Sequence, residues 1–252
     1  MDLLKDNVGK LYRKFFIASF GSALIACIYG LVDMAMVGQY HGPDGSAAMA
    51  VIAPIWNIIY SFGLLCGIGG SVIYAVARGE RDDVKEANGY FTSAFILGAI
   101  WALILWVLVW VCEEPLLKLF GANDALMPLC KEYMVAPKLT VPVYVFINLL
   151  LSFLRNYGDP GRATKAVIFG GIFNVFGDYF FVFTLDMGIK GAGIATAMGA
   201  SMSVLVMLTH FIGKKNTLKF VKPIRILNSF KMISVNGFSS FIVDVAMGIA
   251  TM

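Results

Sequence analysis

Long apolar runs, separated by short polar connections, recur along the whole chain. Crossing about 30 Å of hydrocarbon takes roughly 20 helical residues, whereas membrane barrel strands are about ten residues long and alternate in polarity. The runs here have helical length and no alternation. They predict membrane-spanning helices at about 15–38, 47–77, 90–112, 133–154, 163–185, 191–213 and 230–252. The pattern therefore predicts an all-α integral membrane protein that crosses the bilayer about seven times.

The composition supports this prediction and argues against a soluble domain. The chain is 59% hydrophobic and only 14% charged, with a mean hydropathy of +0.78. Soluble domains average about a quarter charged residues. The first apolar run is about 23 residues long, which exceeds the apolar region of a secretory signal peptide. We therefore expect it to be a retained membrane helix.

The basic residues are distributed unequally between the two sides of the predicted topology. Sixteen of them lie before the first span or in 78–88, 155–165 and 214–231. The opposite side holds only four, which are Lys118, Lys131, Lys138 and Lys190. Because basic residues concentrate in cytoplasmic loops, this bias predicts a multi-pass protein of the bacterial plasma membrane with a cytoplasmic N-terminus. The net charge of +4 then reflects topology, and no nucleic-acid partner is expected.

The polar stretch after the sixth apolar run suggests a division of the chain. Residues 1–213 are predicted to form a six-helix transmembrane lobe, and 214–229 a basic cytoplasmic linker. A further helix is predicted over 230–252, where the chain is still apolar at Met252. This order of six helices, a linker and one further helix is expected for a complete first lobe followed by the start of a second lobe that is missing. We expect a C-terminally truncated protein.

Acidic residues within membrane spans are costly and are therefore candidate functional groups. Those deep in the predicted spans are Asp33, Asp178 and Asp244. Counting 1.5 Å per residue from the outer helix ends places Asp33, Asp178 and Thr196 at a common depth of roughly 9–12 Å. Asn174 shares a helix face with Asp178 at i, i+4 spacing, and Tyr29 shares one with Asp33 in the same way.

Two carboxylates, an amide and a hydroxyl at one depth supply only hard oxygen ligands. Such a set suits Na⁺ or a shared proton and suits transition metals poorly. The alternative is that each polar group hydrogen-bonds a neighbouring helix and nothing more. That alternative stays open for Asn174 and Thr196 when each is taken alone, and function is favoured for Asp33 and Asp178 together.

Several short stretches surround these groups in a recognisable order. They are 28–33 (IYGLVD) with 37–39 (VGQ), 67–71 (GIGGS) running on to Arg78 and Gly79, 174–178 (NVFGD) and 191–197 (GAGIATA). In this order and spacing the chain resembles the multidrug and toxic compound extrusion (MATE) family over essentially its whole length. The combination is more specific than any one of the stretches.

The resemblance implies a secondary antiporter with two six-helix lobes, which couples entry of Na⁺ or H⁺ to export of organic, often cationic, compounds by alternating access. It implies a first-lobe cation site at Asp33, Asn174, Asp178 and Thr196. Tyr29 and Asp244 are candidates for a substrate cavity, and the register of Asp244 is uncertain. The resemblance implies no cofactor beyond the coupling ion. The expected partners are small organic substrates, the lipid bilayer, and a missing C-terminal lobe or second half, without which this fragment alone would be inactive.

The sequence also allows other functions to be considered. A flippase for lipid-linked saccharides would belong to the same superfamily, but such proteins line their cavity with several basic residues, and the spans here show no central basic residue. A non-transporting truncated membrane fragment is a second alternative. An enzyme is not expected, because the only adjacent aspartates, Asp82 and Asp83, lie in a basic loop that is typical of a solvated turn.

Overall fold

The computed structural model describes residues 7–80, 83–213, 216–223 and 225–250, and this part of the chain is helical without a β-strand. In chain order the helices are α1 (Val8–Glu80), α2 (Val84–Val111), α3 (Glu113–Leu119), α4 (Met127–Tyr133), α5 (Val135–Tyr157), α6 (Pro160–Asp178), α7 (Gly188–Ile212) and α8 (Ile226–Ala250). Helix α6 continues into a π-helical turn, Tyr179–Thr184.

Six helices in the described part of the chain are long and apolar enough to cross a membrane. The first of them, α1, has 73 residues, which is roughly 110 Å of helix and far more than one bilayer. Its backbone is non-helical at Gly42, with φ 67 and ψ −153, and Pro43 follows. Glycine tolerates positive φ and proline lacks an amide donor, so the helix breaks there into a first limb, 8–41, and a second limb, 43–80. The two limbs complete the predicted number of spans.

The helices pack around a shared apolar core. Helix α5 contacts both α1 and α7, α6 lies against α7, and α8 lies along α1. The largest fully buried side chains include Phe91, Phe153 and Ile52. Many other large apolar side chains are exposed, such as those of Phe20 and Leu103. An exposed apolar surface of this kind is what a bilayer covers, so the predicted all-α membrane fold is confirmed.

The linker lies against α2 over residues 216–223. Leu218 is buried, and the Phe220 ring lies 5.1 Å from the Phe91 ring and 5.0 Å from the Phe95 ring. The Lys219 amide donates to the Asn88 side-chain oxygen at 3.0 Å, and the Val221 amide donates to the Thr92 hydroxyl at 3.0 Å. Polar side chains near the inner end of α2 thus satisfy the backbone of a segment that has no secondary structure of its own.

Replacing Asn88 by Ala should release this segment. The lost hydrogen bond is worth about 1 kcal/mol, so the Lys219 amide should exchange with solvent roughly fivefold faster. Hydrogen exchange of a peptide covering 216–223, followed by mass spectrometry, measures the change. The control is Asn228→Ala, because Asn228 is exposed at the start of α8 and makes no contact with the linker backbone. Equal exchange in both variants would show that the Asn88 contact does not hold the linker.

The boundary between linker and last helix differs from the prediction. Helix α8 begins at Ile226, four residues before the predicted start at 230. The polar residues that led to the prediction of a linker lie in the first turn of α8, where the Ser229 hydroxyl donates to the Arg225 carbonyl at 3.1 Å. Parts of the predicted segments, and the basic residues Lys5, Arg81, Lys214 and Lys215, lie outside the described residues.

The short helices α3 and α4 lie between two spans, and their charges are paired. Glu114 contacts Lys118 and Lys131, each at 2.9 Å, and Glu113 contacts Lys138 at 2.7 Å. Hydrogen bonds from Lys118 and Lys131, together with their charges, lower the pKa of Glu114 to about 2. Three of the four basic residues predicted on the outer side are therefore paired with neighbouring acids.

Candidate functional site

The structure brings the four predicted ion-site residues together between three helices. Asp33 is on the first limb of α1, Asn174 and Asp178 are on α6, and Thr196 is on α7. The Asn174 amide donates to the Thr196 hydroxyl at 3.4 Å. Asp33 is 7% exposed, Asn174 is 4% exposed and Asp178 is fully buried. Residues separated by up to 163 positions thus form one buried polar cluster.

Most oxygens of this cluster have no hydrogen-bond partner. Both carboxylate oxygens of Asp178 are buried without one, and so are Asp33 Oδ1 and the side-chain oxygen of Asn174. Buried polar atoms in folded proteins are nearly always satisfied, because an unmet one costs about 1–3 kcal/mol and more when charged. Four unmet oxygens in one place are acceptors for a cation or for shared protons.

Tyr133 connects the helices that carry Asp33 and Thr196, and it was not predicted. Its hydroxyl donates to Asp33 Oδ2 at 3.3 Å and also lies near the Thr196 side chain. Asp33 and Asp178 are near enough for their carboxylates to interact electrostatically. Tyr133 is at the last position of the short outer helix α4, and in the sequence only its place at the outer end of a span hinted at a role. It holds one Asp33 oxygen and leaves the other free.

Small residues allow this arrangement by letting α6 and α7 approach closely. A Cβ at Gly199 would lie 2.6 Å from the Gly170 carbonyl oxygen, and one at Gly177 would lie 2.8 Å from the Ala195 Cβ. These glycines are one turn from Thr196 and Asn174, so the bare backbone between them sets the distance between the two polar side chains. The sequence pattern 174–178 therefore combines ligands with the space that they need.

The end of α6 departs from regular geometry immediately after Asp178. The π-helical turn Tyr179–Thr184 inserts extra backbone there, a feature frequently found at functional sites. The turn that follows is held to the end of the first limb of α1. The Tyr40 hydroxyl hydrogen-bonds the Asp186 carboxylate, and the Ile189 amide donates to His41 Nε2 at 3.1 Å. We call these two contacts the outer latch; they join the first limb of α1, which carries Asp33, to the connection after α6 and to the start of α7.

A cavity of about 270 Å³ extends from this cluster toward the opposite end of the lobe. Asn174 and Thr196 line one end of it, and Tyr29, Tyr60 and Tyr144 line its middle. Tyr60 is hydrogen-bonded to both Tyr29 and Tyr144. Tyr29 therefore lines a cavity together with tyrosines from the second limb of α1 and from α5.

Arg155 lines the far end of the same cavity. From the sequence it belonged to a helix end, where its charge could reach the membrane surface. In the structure its Nε is buried without a partner, and the side chain turns toward the cavity. A position one residue from the end of a helix cannot reveal which way the side chain turns, because that depends on the neighbouring helices.

Asp244 lies apart from this cluster. It is on α8, where it faces the second limb of α1, and the Ser61 hydroxyl lies 3.0 Å from its Oδ2. It does not line the cavity that Tyr29 lines.

Asp82 lies outside the described residues, and Asp83 caps α2 by accepting from the Lys85 and Glu86 amides at 2.9 Å. Asp83 thus has the solvated-turn role expected from the sequence.

The ligand types in the cluster are those that hard cations prefer. Across residues 7–80, 83–213, 216–223 and 225–250, no three His, Cys, Asp or Glu side chains are grouped as metal ligands. The cluster instead offers two carboxylates, an amide oxygen and a hydroxyl. Oxygen-only sets of this kind suit Na⁺ or protons better than they suit zinc or copper.

Comparison with known proteins gives a consistent result. A sequence profile of the family described as MatE matches residues 18–180. The multidrug export protein MepA of Staphylococcus saprophyticus is 24% identical over 253 residues, covering 97% of this chain and 54% of that protein. MepA of Staphylococcus haemolyticus is 22% identical, with the same coverage of each chain. The chain thus spans about half the length of these relatives.

Solved structures resemble the chain over nearly all of its length. A MATE protein in complex with MaD5 superimposes with a TM-score of 0.89 at 25% identity, covering 99% of this chain and 57% of that one. A MATE protein in the bent conformation gives a TM-score of 0.87 at 26% identity, covering 98% and 56%. An inward-facing multidrug resistance transporter gives 0.82 at 25% identity, covering 88% and 51%.

Proposed function

This chain belongs to the MatE family of membrane transporters, and on that premise we propose that it forms the first lobe of a cation-coupled exporter of organic compounds. The observation that carries the proposal is the fully buried Asp178, whose two oxygens have no partner, beside the half-paired Asp33. A carboxylate without a partner in a low-dielectric interior favours either a bound cation or a bound proton. The pair can therefore take up the ion that drives transport.

The coupling step follows from the helices that carry the ligands. Asp33 is on the first limb of α1, and Asn174 and Asp178 are on α6. An ion held between them draws these helices together, and its loss leaves two like charges that repel. The first limb of α1 is the segment that we expect to move, because it ends at the Gly42 break. At that end, the contacts of the outer latch are what would restrain its movement. Ion occupancy would thus change the shape of the cavity beside Tyr29.

Export by alternating access needs two bundles that move against each other. The chain spans about half the length of the relatives it matches, so we infer that a second lobe completes the transporter. Relatives are described as multidrug exporters and as inward-facing transporters, and these descriptions support organic, often cationic, substrates here. The charge bias supports a bacterial plasma membrane location with a cytoplasmic N-terminus. Reading the coding DNA past the Met252 codon tests for the second lobe.

Ethidium transport in inverted membrane vesicles tests the coupled function. The vesicles should contain the protein in the form that its gene encodes. An imposed Na⁺ gradient without a pH difference, or a pH difference without Na⁺, should each be applied alone. We expect ethidium movement with at least one of them and none after an ionophore collapses it. Vesicles lacking the protein are the control. Movement that ignores both gradients would contradict cation coupling.

A further inference from the structure

The far end of the lobe cavity contains a cation that the coupling reaction does not use. Arg155 lines the cavity, and its Nε is buried without a hydrogen-bond partner. No carboxylate of the described residues lies within ion-pairing distance of its guanidinium. Nearby Asp159 is already paired, since it contacts Arg162 at 2.9 Å and His210 at 3.1 Å. Arg155 is thus a partly buried positive charge to which the described residues supply no counter-charge.

The cavity therefore has opposite polarity at its two ends. At one end, Asn174 and Thr196 lie beside the two acids. On α5, the lining residues run from Tyr144 to Arg155, which is roughly 16 Å along the helix. Neither acid is paired with Arg155, since both Asp178 oxygens and Asp33 Oδ1 have no partner and Asp33 Oδ2 accepts from the Tyr133 hydroxyl. The inner end is therefore positive in its own right.

Further donors and an apolar wall accompany this charge. The Ser19 hydroxyl lines the same end, and the Asn148 amide uses only one of its two hydrogens, on the Tyr144 carbonyl at 3.2 Å. Ala23, Ala26 and Leu151 supply an apolar lining between them. The cavity volume of about 270 Å³ lies just below the range of drug-sized ligand pockets, which begins at about 300 Å³. The site thus combines a planar cation, neutral donors and a small apolar compartment.

We propose that the inner end of this cavity binds a small organic anion, specifically a monocarboxylate that carries an apolar group. The carboxylate accepts hydrogen bonds from the Arg155 guanidinium, whose fork geometry matches two oxygens. The apolar group lies along Ala26 and Leu151. The site is separate from the coupling site, and it binds its ligand without a gradient. The result of a binding test at this site therefore does not depend on whether the transport proposed above is correct.

Titration calorimetry with benzoate tests the proposal. The protein is purified in detergent in the form that its gene encodes. Benzoate should bind saturably, whereas benzamide lacks the charge and acetate lacks the apolar group, so each should bind about tenfold more weakly or not at all. Arg155→Met should lower benzoate affinity by about tenfold or more, and Arg155→Lys should retain part of it. The charge-matched control is Lys165→Met, because Lys165 is exposed on the same side and lines no part of the cavity.

A second variant keeps the test valid if Arg155→Met does not fold. Ala26→Leu fills the apolar compartment, leaves Arg155 in place, and should also weaken benzoate binding. Absence of saturable benzoate binding, equal binding of benzamide, or full affinity in Arg155→Met or Ala26→Leu would overturn the proposal.

Discussion

Asp178→Asn and Asp33→Asn should each abolish gradient-driven ethidium transport while the protein remains folded and inserted. Asparagine keeps the size of the side chain but can neither carry a charge nor release a proton. Asp178 is fully buried with both oxygens unpartnered, so its function in the cluster depends on what it binds rather than on a protein partner. Removing one charge from a buried pair with its ligand costs about 2–5 kcal/mol. That corresponds to roughly a thirtyfold or greater loss of ion affinity.

The matched control for these variants is Asp44→Asn. Asp44 lies on the same helical element, just beyond the Gly42 break, and is exposed. Its replacement changes the net charge by the same amount without entering the cluster. Expression and detergent stability of all three variants should be compared before transport is measured. Undiminished ethidium transport in Asp33→Asn or Asp178→Asn, at normal expression, would show that these acids do not couple transport to an ion.

Gly69→Leu and Gly237→Leu should destabilise the packing of α8 on the second limb of α1 more than any other single change to this interface. A Cβ at Gly69 would lie 2.0 Å from the Ile233 carbonyl oxygen, and one at Gly237 would lie 2.1 Å from the Leu65 carbonyl oxygen. Both neighbours are backbone atoms that cannot rotate away. The helices would have to separate, and overpacking of this kind costs about 1–3 kcal/mol or more.

Thermal unfolding with a thiol-reactive dye measures this effect in detergent. Cys66 and Cys130 are fully buried, so their reaction with the dye reports unfolding. The glycine variants should unfold at a clearly lower temperature than the unaltered protein. Gly30→Leu is the control, because a Cβ at Gly30 meets nothing within 4 Å. A midpoint in Gly237→Leu equal to that of the control would mean that α8 does not depend on this close approach.

The same interface explains why Asp244 and Asp33 have different surroundings although both are acids in spans. Along α8, Ile233, Gly237 and Asp244 face Gly69, Leu65 and Ser61 of the second limb, so the two segments run antiparallel. Asp244 is thereby placed opposite Ser61, away from α6 and α7. The two acids therefore do not share a site, although both lie within predicted spans. Only the packing of helices distinguishes them.

The sequence by itself determined the membrane fold, the spans and the four cluster residues. Hydrophobic length is set by bilayer thickness, and an acid within a span is so costly that it reveals itself without a structure. Depth could be counted from helix ends at a constant rise, so Asp33, Asp178 and Thr196 could be placed at one level. The early start of α8 at Ile226 was missed, because it depends on local backbone contacts rather than on hydrophobic pattern.

Tertiary structure alone decided which way the polar side chains turn and what they meet. Tyr133 reaches Asp33 from another helix, Arg155 turns into the cavity, and the linker amides bond to Asn88 and Thr92. Each of these contacts joins residues more than 100 positions apart or depends on the rotation of a helix about its axis. Hydrophobic periodicity does not specify that rotation in a helix that is apolar on all sides, since lipid and neighbouring helices are equally acceptable to its surface. The rotation is determined instead by the glycines that permit close approach of α6 to α7 and of α8 to α1, because only their faces fit against the neighbouring backbone.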